Sequence, residues 1–130
     1  MARFMIIDDD VELTDNTAAI LRMHGHAVDT LNTTEDAVRQ VTENMPDLLI
    51  LDVMFPDSPV AGFDLARQIR HAKALKDMPI LLLTSVNQEY PMDFSAEDID
   101  ADWMPVQDFM EKPVHVALLL EKVDRLLKKR

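Results

Sequence analysis

The 130-residue chain carries 24 acids against 13 bases, a formal charge of −11, with 48% hydrophobic residues, two glycines and no cysteine. That length fits one domain, and the apolar content fills a single core and argues against disorder. The lack of cysteine excludes disulfides, cysteine nucleophiles and thiolate metal sites, and the acid excess argues against a nucleic-acid surface and against docking on anionic lipid.

The chain runs from Met1 into Asp8-Asp9-Asp10 after an apolar stretch too short for a secretion signal. No apolar run approaches the roughly 20 residues of a membrane span, so a cytoplasmic location is expected. Phe4–Ile7 predicts a strand buried on both faces. Val11–His24 predicts a helix with Asp10 as its N-cap, with Leu13, Thr17, Ile20, Leu21 and His24 on one face. Gly25 stands where a left-handed C-terminal cap is wanted.

Ala27–Leu31 predicts a more polar strand, nearer an edge. A second helix starts at Thr33 or Thr34 and ends before Pro46-Asp47. Leu48–Leu51 is a third buried strand, with Asp52 at its C-terminal end. A loop with Pro56 and Pro59 leads through Gly62 into a helix over Phe63–Lys76. Pro79–Leu83 is a fourth strand, ending at Thr84. Residues 85–108 are the least regular part of the sequence. Asp108–Glu111 predicts a short fifth strand, and Val114–Lys129 a last helix with Leu119, Val123, Leu126 and Leu127 on one face. Its terminal bases suit the negative end of the helix dipole.

Five strands alternating with helices predict a doubly wound α/β fold with parallel, right-handed connections. In such sheets functional groups gather outside the C-terminal strand ends. Asp8, Asp9 and Asp10 follow the first strand, Asp52 the third, Thr84 and Ser85 the fourth, and Lys112 the fifth. Carboxylates crowded into one crevice repel one another unless protons or a hard cation enter. Mg²⁺ suits such a set, Lys112 adds a second positive charge, and Thr84 adds a donor. The chemistry indicated is Mg²⁺-assisted phosphoryl transfer with a carboxylate as nucleophile.

Four motifs, Ile6-Ile7-Asp8-Asp9-Asp10, Leu51-Asp52-Val53-Met54-Phe55-Pro56, Leu83-Thr84-Ser85 and Phe109-Met110-Glu111-Lys112-Pro113, occur in order, each after its own strand. Together they resemble the receiver domain of two-component response regulators over essentially the whole chain. The resemblance implies a flavodoxin-like five-stranded sheet in the order 2-1-3-4-5. By position it implies Asp52 as the phosphorylated aspartate, Asp9 as a direct Mg²⁺ ligand, and Asp8 as a ligand acting through water. It further implies that the Met54 backbone carbonyl binds the metal, that Thr84 bonds the phosphoryl group, and that Lys112 pairs with it. Phe109 matches an aromatic switch, although a core aromatic is the plainer reading of that residue.

The expectation is a stand-alone receiver spanning residues 1–130 with no output domain in the chain. It would accept a phosphoryl group from a histidine kinase, a phosphotransfer protein or a small phosphodonor. It would then present the fourth strand, the following segment, the fifth strand and the last helix to a protein partner or a second copy. Such a protein is a switch with self-catalysed phosphorylation and dephosphorylation, not an enzyme with a separate substrate.

Four departures from the family pattern stand out. The Pro56–Gly62 loop is longer by about two residues, a change surface loops tolerate. Ala61 replaces a common Asp, and Ser85 replaces a smaller residue. The stretch from Thr84 to Lys112 is longer by about half a dozen residues, in a kind of segment that varies readily. From Asp77 to Glu111 nine acids occur with no Lys or Arg between them. That run reads as a solvated surface, or as a docking face for a basic partner.

An alternative is a receiver-like binding module that is not phosphorylated and acts through residues 85–111. An aspartate-nucleophile phosphatase is disfavoured because Met54 stands where its acid/base Asp belongs. Asp98-x-Asp100-x-Asp102 fails as a Ca²⁺ loop, since Trp103 and Phe109 occupy the Gly and Glu positions. The four histidines lack ligand spacing, and a flavin site lacks its Gly-rich phosphate loop.

Overall fold

The structure is a computed structural model that describes residues 2–52, 61–84, 108–112 and 114–128. Five strands, β1 (Arg3–Ile7), β2 (Ala27–Leu31), β3 (Leu48–Asp52), β4 (Ile80–Thr84) and β5 (Asp108–Glu111), form one sheet in the order β2-β1-β3-β4-β5. Every neighbouring pair is parallel. Among the described residues the helices are α1 (Val11–Met23), α2 (Ala37–Asn44), α3 (Ala61–His71) and α4 (Val116–Lys128), with a 3-10 turn at Lys73–Leu75. The expected doubly wound architecture and strand order are both present.

Burial explains the order. β3 is buried at all five positions and sits centrally, whereas polar β2 is buried only at Val28 and lies at the edge. Alternate residues of β1 enter opposite cores. Met5 and Ile7 pack with Ala37, Val41, Leu65 and Ile69 under α2 and α3. Phe4 and Ile6 pack with Ala18, Leu21, Leu119 and Val123 under α1 and α4. Both faces are therefore covered, and the continuous apolar runs of β1, β3 and β4 follow from that.

Asp10 caps α1 by accepting from the Leu13 amide at 3.0 Å, and Gly25 takes φ 87° just beyond the helix, both as expected. The buried face of α1 is rotated from the expected one. It consists of Thr14, Thr17, Ala18 and Leu21, with His24 exposed and Leu13 and Ile20 half-buried. Thr14 can be buried because its hydroxyl donates to the Asp10 carbonyl at 2.7 Å.

α2 starts later than expected. The Thr33 hydroxyl accepts from the Glu35 amide, the Ala37 amide bonds the Thr34 carbonyl, and Asp36 turns left-handed at φ 61°. The threonines thus serve a turn rather than the helix itself. α3 begins at Ala61 and stops at His71 rather than Lys76, and the Arg70 guanidinium donates to the Lys76 carbonyl at 2.7 Å across the 3-10 turn. α4 begins at Val116, with the His115 carbonyl accepting from the Leu119 amide. It buries Leu119, Val123 and Leu126 and leaves Leu127 half-buried. Among the described residues no helix is long and apolar enough to cross a membrane.

Candidate functional site

The parallel sheet brings the C-terminal ends of β1, β3, β4 and β5 to one edge, and the polar residues there meet. Asp8 follows β1 and is 1% exposed; Asp52 ends β3 and is 2% exposed. One carboxylate oxygen from each of Asp8, Asp9 and Asp52 lies within 4.8 Å of the others, with Asp9 the most open of the three. Lys112 follows β5, and its Nζ lies 3.0 Å from Asp8 Oδ2 and 3.3 Å from Asp52 Oδ1.

Asp8 is fixed by the backbone around it. Its amide extends the ladder to the Leu31 carbonyl at 3.0 Å. Its Oδ1 accepts from the Asp10 amide at 2.9 Å, and its carbonyl accepts from the Asn32 side chain at 2.8 Å. Asp10 therefore caps α1 with its side chain while its amide holds the buried acid.

The electrostatics follow from burial and charge count. Burial pushes the Asp8 carboxyl above its usual range; the bond from the Asp10 amide and the Lys112 ammonium act the other way, and Asp9 adds repulsion. For Lys112, burial alone would lower the pKa, but Asp52 and Asp8 outweigh it and hold the ammonium above its usual value. Three carboxylates and one ammonium leave this set of four groups with a formal surplus of two negative charges. A hard divalent cation with oxygen ligands fits that surplus and that donor set. Asp8, Asp9 and Asp52 are the residues that could hold it.

Thr84 ends β4 in register with Glu111, the residue before Lys112, while Leu83 is in register with Asp52. Phe109 pairs with Leu82 and packs, half-buried, against the core under α2 and α3. Met54, the Thr84 side chain, Pro113 and residues 85–107 lie outside the described residues. So do Ser85 and the unusual loop before α3, apart from Ala61 and Gly62.

A sequence profile of the response regulator receiver domain matches residues 4–124. The chain belongs to that family. Among curated proteins it is 32% identical over 129 residues to the transcriptional regulatory protein AfsQ1 of Streptomyces coelicolor, covering 99% of this chain and 52% of that protein. It is 26% identical to protein PilH of Pseudomonas aeruginosa, covering 98% of both. The chain thus spans about half the length of AfsQ1 and nearly all of PilH.

A Chloroflexus aurantiacus protein assigned as a response regulator superposes with a TM-score of 0.81 at 28% identity, covering 98% of both chains. Vibrio cholerae chemotaxis protein CheY4 superposes at 0.80, with 23% identity over 97% of this chain and 98% of that one, and so bears on the fold alone. Receiver domains are phosphoacceptor switches of two-component systems that bind Mg²⁺ through acidic residues, and the cluster of Asp8, Asp9 and Asp52 is of that kind.

Of the expected site residues, the structure brings Asp8, Asp9, Asp52 and Lys112 together. It adds Asn32, which sequence reasoning missed. The signal was present: Asn32 directly follows β2, at the same sheet edge as the other polar strand-end residues.

Proposed function

We propose that residues 1–130 form one phosphoacceptor domain in which Asp52 takes a phosphoryl group from a histidine kinase, a phosphotransfer protein or a small phosphodonor. The observation that carries this reading is the meeting of Asp8, Asp9 and Asp52 at the C-terminal edge of the sheet, with Asp8 and Asp52 both within ion-pair distance of Lys112. Asp9 and Asp52, with Asp8 acting through water and the Met54 carbonyl as a further ligand, would hold Mg²⁺, which would supply charge neutralisation for the incoming phosphoryl oxygens.

The chain's own groups then act in turn. An Asp52 carboxylate oxygen attacks phosphorus as the bond to the phosphohistidine nitrogen breaks, and the imidazole keeps that electron pair. Lys112 is already within ion-pair distance of both buried acids and pairs with the phosphoryl oxygens. The Thr84 hydroxyl donates to the same group. Hydrolysis adds water to phosphorus, releases inorganic phosphate and restores the carboxylate. Thr84 and Phe109, on adjacent strands, relay the change to β4, residues 85–107, β5 and α4, the surface offered to a protein partner or a second copy. The protein acts in the cytoplasm.

Amide NMR with Mg²⁺ and beryllofluoride tests the reading. Shifts should appear around Asp8–Asp10, Asp52 and Lys112 and be absent in Asp52→Asn. An unchanged spectrum with Mg²⁺ and beryllofluoride would leave the unphosphorylated binding module as the better account.

A further inference from the structure

We propose that Asn32 is a positioning residue for the acid pair Asp8 and Asp9. The inference rests on the reading that these acids hold a divalent cation. The Asp8 carbonyl faces two side-chain donors, the Asn32 amide at 2.8 Å and the Thr14 hydroxyl at 3.3 Å. A hydroxyl has one proton to give. The Thr14 hydroxyl lies closer to the Asp10 carbonyl, at 2.7 Å, so its proton goes there. Asn32 is therefore the main donor to the Asp8 carbonyl. Its amide orientation is fixed by the same contact, because a carbonyl can only accept.

The geometry gives that bond a consequence for the site. The Asp8 carbonyl and the Asp9 N–H share one rigid peptide plane. Whatever sets the tilt of that plane sets the direction in which the Asp9 side chain leaves the backbone relative to Asp8. Asp8 is pinned at its amide by the Leu31 carbonyl, at Oδ1 by the Asp10 amide, and at Oδ2 by Lys112. The tilt of the following plane is what these contacts leave to Asn32. Asn32 reaches the site from the connection between β2 and α2, 24 residues away in sequence, so it ties the edge strand to the acid pair. Its side chain is on an exposed residue, so truncating it opens no cavity in either core.

Outer partners that orient metal ligands cost roughly 10–100-fold in metal affinity when removed. The test is calorimetric titration of Mg²⁺ into the native chain, Asn32→Ala and Asn32→Asp. Thermal melts in chelator confirm folding, and amide hydrogen exchange is read on the metal-free proteins. Asn32→Ala should bind Mg²⁺ about tenfold more weakly, with the metal-free melting temperature nearly unchanged and faster exchange at Asp9 and Asp10. Asn32→Asp should also bind more weakly, although it adds a negative charge near the site. Tighter binding by Asn32→Asp overturns the proposal, since charge and not donation would then govern. Unchanged exchange at Asp9 and Asp10 in Asn32→Ala overturns it too, and does so even if the native chain binds no metal.

Discussion

Neutralising one buried acid should stabilise the metal-free protein, and Asp8→Asn is the substitution to make. With an effective dielectric constant of about 20, two like charges within 4.8 Å of each other repel by at least about 3.5 kcal/mol gross. Asp52 exerts that repulsion on Asp8 in a buried setting, and Asp9, being more open, exerts a screened fraction of it. Lys112 at 3.0 Å attracts Asp8 by about 5.5 kcal/mol on the same scale. Repulsion and attraction nearly cancel. The desolvation of a carboxylate that is 1% exposed, several kcal/mol, then decides the sign.

The raised Asp8 pKa agrees with that result. A raised folded-state value means that the protonated acid favours the fold. That stability is fully present below the ordinary value of 3.8 and is lost as pH rises through the folded value. At neutral pH the metal-free protein therefore carries the cost. The asparagine keeps the Oδ1 acceptor for the Asp10 amide and sets a donor against Lys112, so the net gain should be about 1–2 kcal/mol. For a chain of this length that is about 4–7 °C in melting temperature. Differential scanning calorimetry in chelator at neutral pH reads it. The gain should shrink at pH values below 3.8, where the native acid is protonated. Added Mg²⁺ should raise the melting temperature of the native chain and not that of Asp8→Asn. A neutral-pH melting temperature for Asp8→Asn below that of the native chain would refute the reasoning.

Lys112→Met should act in the opposite direction, by about 3–5 kcal/mol in denaturant unfolding at neutral pH, because it leaves Asp8 and Asp52 buried without their ammonium. Met45 closes α2 at φ 40° and is 51% exposed, so Met45→Gly should stabilise the fold by about 0.5–1 kcal/mol in the same assay. His26 accepts from the Ala2 amide at 3.0 Å, and burial chiefly lowers its pKa. Its contribution is present above the ordinary value of 6.5 and lost as pH falls through the lower folded value. Stability should therefore drop on acidification through that range, and His26→Asn should flatten the drop.

The parts of the fold that were legible are those where burial and period agree. The apolar runs of β1, β3 and β4 read as buried strands alternating with helices, and the polar residues at the C-terminal ends of parallel strands share one edge, which placed Asp8 after β1, Asp52 at the end of β3 and Lys112 after β5 together. The order of the strands came from the family resemblance, because apolar runs do not state which strand neighbours which. Thr14 misled the reading of α1, since a threonine that bonds the preceding turn is buried as readily as an apolar residue, whereas Thr17 lies on the buried face as expected. Thr33 and Thr34 misled the start of α2, because the side chains that cap helices also close turns. The role of Asn32 was not legible because its partner is a backbone carbonyl, that of Asp8, 24 residues away, which no pattern of side chains marks.

The central claim is that Asp52 is a phosphoacceptor. Intact-mass spectrometry of the native chain with Mg²⁺ and a small phosphodonor tests it most directly. The account predicts a gain of one phosphoryl group, mapped to the peptide containing Asp52, absent with chelator and absent in Asp52→Asn. No gain in the native chain, or an equal gain in Asp52→Asn, would contradict it.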